Sequence, residues 1–237
     1  MTYQLYIGDR KYSSWSLRGW LMLEKFNLPH EVSLIEMFSG TMKDRMAALA
    51  PARLLPTLQL PDGTVIGETV AIAETLAERH PEAGMWPEDP RQRATARWLV
   101  AEMASGFGAL RSACPMQLAH IYQGFEPSEA VLADLRRIET LFAHARTVSG
   151  CAEGWLFGSY SIADAFYAPV AARIVGFDLP VSDEMRAYCR VTLSDPVLRR
   201  WQDRMGEVKY TTDPYPIDLP RIPWQLNCRP AIKVNNA

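Results

Sequence analysis

The stretch Leu54-Leu55-Pro56-Thr57-Leu58-Gln59-Leu60, turned by Pro61-Asp62-Gly63 into Thr64-Val65-Ile66 and closed by Gly67-Glu68-Thr69, decides how this chain is read. An apolar run stops at a proline and restarts with strand character. The Pro-Asp-Gly turn folds a second strand back on the first. Glu68-Thr69 then open a helix with Val70-Ala71-Ile72. Proline has no N–H to give to a ladder, so a strand tolerates it only at its start or on an edge. The arrangement makes sense with a cis Leu55–Pro56 bond that leaves the backbone of Leu55 bare. A bare backbone edge beside a helix N-terminus suits a peptide-like, anionic ligand. An ordinary proline between a loop and a strand gives the same dipeptide; the hairpin, the Glu-Thr pair and the helix tip the reading toward a site.

Upstream, Tyr3-Gln4-Leu5-Tyr6-Ile7 reads as a strand stopped by Gly8-Asp9. The polar loop from Arg10 becomes a helix with apolar spacing at Leu17, Trp20, Leu21 and Leu23, stopped by Asn27-Leu28-Pro29. Glu31-Val32-Ser33-Leu34-Ile35 is a second strand, and residues 41–49 a short helix before Pro51. The order β-α-β-α-β-β-α is thioredoxin-like. Its first crossover implies a parallel, right-handed unit, to which the hairpin adds an antiparallel edge.

Serines favour helix N-caps, and Ser16 is placed to cap the first helix of the loop Ser13-Ser14-Trp15-Ser16. The same geometry can lower the pKa of a ligand thiol, because a helix N-terminus and a hydroxyl donor both stabilise a thiolate. The run Ser-Ser-x-Ser-x-Arg, ending at Arg18, resembles the Ser-Ser-Cys-Ser-Trp-Arg segment of the zeta-class glutathione transferases. The resemblance carries the catalytic role onto Ser13; counting back from the arginine, as in the theta and delta classes, points to Ser14, and Ser13 is preferred. Trp15 stands where that motif has a cysteine, which counts against the isomerase activity of the zeta class. The cysteine-dependent deglutathionylating type is excluded, since the first 82 residues hold no cysteine. Tyr6 lies near the hydroxyl of the tyrosine-type enzymes, although a half-buried strand aromatic is the better reading.

The resemblance assigns further residues. Glu68 and Thr69 match the Glu/Gln-Ser pair that holds the γ-glutamyl end of glutathione, with Leu55 and Pro56 presenting backbone to the peptide. Their residue types also fit an N-cap and a first-turn acid. Arg53 is either a partner for the glycyl carboxylate or a solvated surface arginine. Trp15, Met103 and Phe107 are candidates for an apolar second-substrate wall, with core packing preferred for the last two.

Residues 83–90 read as a linker. Helical pattern resumes at Arg91, with Ala94, Trp98, Leu99 and Met103 leading to Leu110, until Cys114-Pro115 breaks it. Pro127-Ser128-Glu129 opens a helix with an apolar face from Val131 to Phe142. Gly154-Trp155-Leu156-Phe157-Gly158 is a tight turn, and Ser161-Ile162-Ala163-Asp164 is a capping box opening a central, apolar helix. That run resembles the capping box of the helical domain in the transferases. Residues 182–192 and 195–205 form two more helices, and His120 and His144 fall in helical pattern. The prolines from Pro214 to Pro230 favour extended chain, pinned by Trp224 and Leu226, which covers the cleft, reaches a partner or does neither.

The 237 residues, 48% apolar, suffice for a large core, and a net charge of −2 with no basic block points away from nucleic acid. Cys114, Cys151, Cys189 and Cys228 are scattered, which argues against zinc and for idle thiols in a reducing compartment. The start is not that of a signal peptide, no apolar run spans a membrane, and a cytoplasmic protein is expected. The expectation is a thioredoxin-like α/β domain over 1–82, an all-α domain over 91–206 and an extended tail over 207–237. The resemblance implies a homodimeric glutathione transferase conjugating glutathione to a small apolar electrophile in detoxification, without a metal. A glutathione-dependent isomerase or peroxide reductase, and a non-catalytic binding module, are the alternatives.

Overall fold

The computed structural model describes residues 2–210 and 213–224. Strand β1 (Tyr3–Ile7) leads into helix α1 (Ser14–Lys25), strand β2 (His30–Leu34) and helix α2 (Met42–Ala47). Strands β3 (Thr57–Gln59) and β4 (Val65–Ile66) and helix α3 (Thr69–Arg79) complete the unit. The sheet order is β2-β1-β3-β4, with β1 and β2 parallel and β3 antiparallel to both of its neighbours. This is the expected thioredoxin-like arrangement. Leu5 and Ile7 of β1 turn inward with no exposed surface, against Leu17, Met22 and Leu23 of α1. Each such side chain contributes about 1.5–3 kcal/mol of transfer free energy.

After a 3₁₀ turn at Pro81–Ala83, the remainder is mostly helical: α4 (Pro90–Ser105), α5 (Gly108–Ala113), α6 (Glu129–Ser149), α7 (Ile162–Gly176), α8 (Asp183–Ser194) and α9 (Pro196–Asp203). Helix α7 is the axis of the fold, buried along nearly its whole length and packed on α1, α4 and α8. One continuous core therefore runs from the sheet into the helices. Among the described residues, no helix is long and apolar enough to cross a membrane.

Several local expectations are corrected. The run from Arg91 breaks at Gly106, before Cys114-Pro115, because Phe107 takes a left-handed conformation at φ 56° and restarts the helix as α5. Ala94 and Trp98 face solvent, while Thr95, Ala96, Leu99, Val100 and Met103 form the buried face. Trp98 is satisfied there by its bond to Glu102 and the Arg137 guanidinium over its ring. His120 is not helical: it begins strand β5 (His120–Tyr122), which pairs antiparallel with β6 (Arg221–Pro223). Its partner lies about a hundred residues away, beyond any local pattern. Of the tail, Arg221–Pro223 is extended as β6, and Trp224 N–H donates to Ala119 O at 3.1 Å. Leu226, Cys228 and Pro230 lie outside the described residues.

Candidate functional site

The N-terminus of α1 is built by serines in sequence. Ser13, not Ser16, is the N-cap: its Oγ accepts from Ser16 N–H at 3.3 Å and donates to Ser16 Oγ at 2.7 Å. Ser16 Oγ in turn accepts from Gly8 N–H at 2.8 Å. Ser13 and Ser16 are both buried and bonded to each other, which ties β1 to α1. Ser14 is half-buried, and its Oγ lies 3.5 Å from Arg173 Nη2. Its hydroxyl proton stays available to a ligand at the positive end of the helix.

The Leu55–Pro56 bond is cis, and Ala50–Pro51 is a second cis bond. Among the described residues, no backbone hydrogen bond engages Leu55. Pro56 is held by Gly19 of α1, where a Cβ would lie 2.9 Å from Pro56 Cγ. A side chain at Gly19 would push α1 off the proline. Glu68 precedes α3 at φ 58°, ψ 116°, a left-handed conformation that costs a non-glycine residue about 1–3 kcal/mol. Its carboxylate is exposed and makes no capping bond, while Thr69 beside it is buried. Leu55, Glu68, Thr69 and the α3 N-terminus thus share one end of the sheet. Arg53 is exposed on the loop before them. This edge offers backbone groups, a carboxylate, a hydroxyl and helix N–H groups, a set that complements a peptide carrying both an ammonium and carboxylates.

Three arginines, from α1, α5 and α7, gather around the N-terminus of α1. Arg18 is buried, donates to Phe166 O at 2.8 Å and to Ser14 O at 3.2 Å, and leaves Nη2 without a protein partner. Arg173 is buried and donates to Cys114 O and Pro169 O. Arg111 and Arg18 stack on the ring of half-buried Trp15, at 5.2 and 4.4 Å. Burial and the neighbouring guanidiniums push Arg18 down, and burial with Arg111 pushes Arg173 down to about 10. None of the three pairs with a carboxylate among the described residues. The site is therefore short of negative charge.

Sequence reasoning missed Arg111 and Arg173. An arginine inside the otherwise apolar α7 was the available signal for Arg173, since arginine is seldom fully buried unless paired. Met103 and Phe107 are both in the core, at 0% and 5% exposure, as the preferred reading had it. Tyr6 is a half-buried strand residue whose hydroxyl meets Gln59.

Residues 12–79, which hold the serines, the cis-proline and the Glu-Thr pair, match the family described as "Glutathione S-transferase, N-terminal domain". Over those residues the chain resembles the glutathione transferases. A probable maleylacetoacetate isomerase of Caenorhabditis elegans is 36% identical over 114 residues, 48% of this chain and 52% of that protein. The maleylacetoacetate isomerase of Pseudomonas aeruginosa is 26% identical over 83% of this chain and 94% of its own length. The chain spans about half the length of the first curated relatives it matches. A glutathione transferase homolog from Burkholderia GL BGR1, solved with bound glutathione, superimposes with a TM-score of 0.65 at 24% identity, over 88% of this chain and all of that one. At that identity the likeness speaks for the transferase fold.

Proposed function

We propose that this chain is a glutathione-dependent enzyme of the transferase family whose second substrate is a small organic acid, and that it isomerises that acid. The observation that carries the reading is the set of three arginines without carboxylate partners beside Ser14. An anionic substrate would neutralise them, which an apolar electrophile would not. Curated relatives named maleylacetoacetate isomerase support the same reaction class.

In this reading Leu55 supplies peptide hydrogen bonds, Glu68 meets the ligand ammonium, and Thr69 with the α3 N-terminus holds a carboxylate; Arg53 is close enough in sequence to serve the glycyl end. Ser14 donates its hydrogen bond to the glutathione thiolate, because the Ser13 hydroxyl is already spent on Ser16. A free thiol near pKa 8.5 needs about 1.4 kcal/mol per pH unit of lowering, which one charge-assisted hydrogen bond and a helix N-terminus can supply. Arg173 would orient the acid against the sulfur. Homodimeric assembly and a glutathione-binding unit over residues 1–82 belong to the same proposal. Conjugation of glutathione to an electrophilic acid is the second reading, favoured by Trp15 in the place of the zeta-class cysteine.

Ultraviolet titration of the glutathione complex tests the chemistry. Ser14→Ala should raise the bound thiol pKa by about one unit, with glutathione affinity little changed. Ser13→Ala should cost stability by about 1 kcal/mol as a lost cap and leave the titration in place. A flat titration for Ser14→Ala with a shift for Ser13→Ala would reverse the assignment. In turnover of a cis-enone acid, Arg173→Gln should raise KM about tenfold or more, reflecting a lost charge-assisted bond.

A further inference from the structure

The ring of Trp15 has no part in the functional reading above, although it lies in the first turn of α1 next to Ser14. It is half-buried and meets the Phe166 ring of α7 edge-on, at 6.3 Å between centroids. Two guanidiniums lie over it, Arg18 at 4.4 Å and Arg111 at 5.2 Å. A ring expected to form an apolar wall is therefore faced with cations. The negative face of an indole attracts a cation, and does so most strongly where water is scarce.

The two arginines do not depend on that ring equally. Arg18 is buried and is fixed by its bonds to Phe166 O and Ser14 O, which any residue at position 15 would leave in place. Arg111 is half-buried on the six-residue helix α5, which the Asp134 carboxylate holds through Leu110 N–H at 2.9 Å. Among the described residues, its guanidinium donates to Gly106 O, close to its own turn, at 3.3 Å. Burial is the first cause that lowers Arg18 and Arg173, and Arg111 adds to both, so like charge pushes Arg111 away from the other two. A half-buried arginine under such repulsion can turn its head into water along its long stem. The Trp15 face is the contact that opposes this.

We propose that Trp15 is a positioning residue whose indole face keeps Arg111 beside Arg18 and Arg173, and so builds the cationic site that selects a carboxylate-bearing second substrate. The inference rests on the glutathione-dependent reading above. Trp15 acts through Arg111. Tryptophan at this position, where the zeta-class motif has a cysteine, thus serves the placement of charge.

Calorimetry with two non-reactive probes tests it without turnover. S-methylglutathione reports the peptide groove; S-carboxymethylglutathione adds one carboxylate next to the sulfur, and the ratio of the two affinities reads the arginines. The wild-type chain should favour the carboxymethyl compound about tenfold, as expected for a charge-assisted bond. Arg111→Gln should cut that preference about fivefold, and Trp15→Leu should cut it by as much, each leaving S-methylglutathione within about twofold. The double variant should lose no more than Arg111→Gln alone, because the ring acts through the arginine. Trp15→Phe keeps an aromatic face and should restore most of the preference. If Trp15→Leu does not fold by circular dichroism, Trp15→Met, which also lacks an aromatic face, takes its place in the cycle. A wild-type ratio in the folded variant without the ring overturns the proposal. So do losses that multiply in the double variant, a Trp15→Phe chain no better than Trp15→Leu, and equal weakening of both probes. A wild-type chain that binds S-methylglutathione but shows no preference also overturns it, and leaves the glutathione reading standing. If the wild-type chain binds neither probe, the glutathione reading itself fails and this inference falls with it.

Discussion

Glu68 is the residue where local physics and proposed chemistry pull in opposite directions. Its backbone sits at φ 58°, ψ 116°, a region glycine enters freely and glutamate does not. A glycine there would relax the turn, yet the carboxylate is exposed at the N-terminus of α3 and caps nothing. Strain of this kind persists when the rest of the structure imposes it and is found disproportionately at ligand sites. Glu68→Gly should therefore stabilise the chain by about 1 kcal/mol in urea unfolding. The same variant should lose about 1–3 kcal/mol of glutathione affinity, because the ligand ammonium is left without its partner. Unchanged affinity in a stabilised variant would reduce Glu68 to a turn residue.

At the scale of the element, the capping box of α7 carries the largest local stake. Asp164 is buried and accepts from Ser161 N–H at 2.9 Å, Leu156 N–H at 3.1 Å, Ser161 Oγ at 3.0 Å and Tyr188 Oη at 3.2 Å. Burial raises its carboxyl from 3.8 to about 6, against the pull of those donors. The folded chain thus holds a proton that the unfolded chain has released. The associated stability is complete below the unfolded value and is lost as pH rises through the folded one, between about 4 and 6. Asp164→Asn removes the proton and one acceptor oxygen. It should be less stable than wild type by about 1–3 kcal/mol near the acid end. The gap should narrow as pH climbs to about 6 and stay level above it. Urea midpoints of both chains across that range check the slope; a gap independent of pH would show that the carboxyl keeps an ordinary pKa.

The whole molecule is held as one body by contacts between its two halves. Trp201 of α9 has no exposed surface, packs on Trp20 of α1 at 5.2 Å and donates its indole N–H to Arg10 O at 2.7 Å. Arg10 belongs to the loop that carries the serines, and Lys25 at the end of α1 pairs with Asp195, the N-cap of α9, at 2.5 Å. Trp201→Phe keeps an aromatic but strands a buried carbonyl and opens a void, so it should cost about 2–4 kcal/mol. With a shared core, tryptophan fluorescence and far-ultraviolet circular dichroism should still report one unfolding transition. Two separated transitions would mean that the sheet unit and the helices fold independently.

What the sequence determined by itself was local and periodic. The strands, the Pro-Asp-Gly hairpin, the Ser128 and Ser161 caps and the apolar α7 follow from turn chemistry, capping and spacing, which act within a few residues. The cis Leu55–Pro56 edge and the Glu68-Thr69 corner were legible because proline and a helix start mark the chain unambiguously. The serines were legible as a group, but their division of labour was not. Which hydroxyl caps and which stays free depends on where Gly8 and Arg173 come to lie. The arginine cluster joins positions 18, 111 and 173, and β5 joins β6 across about a hundred residues. Neither leaves a trace at helical or strand period. Such placements are decided by how α1, α5 and α7 come together on one core, because burial free energy depends on which surfaces meet and not on how far apart they lie in the chain.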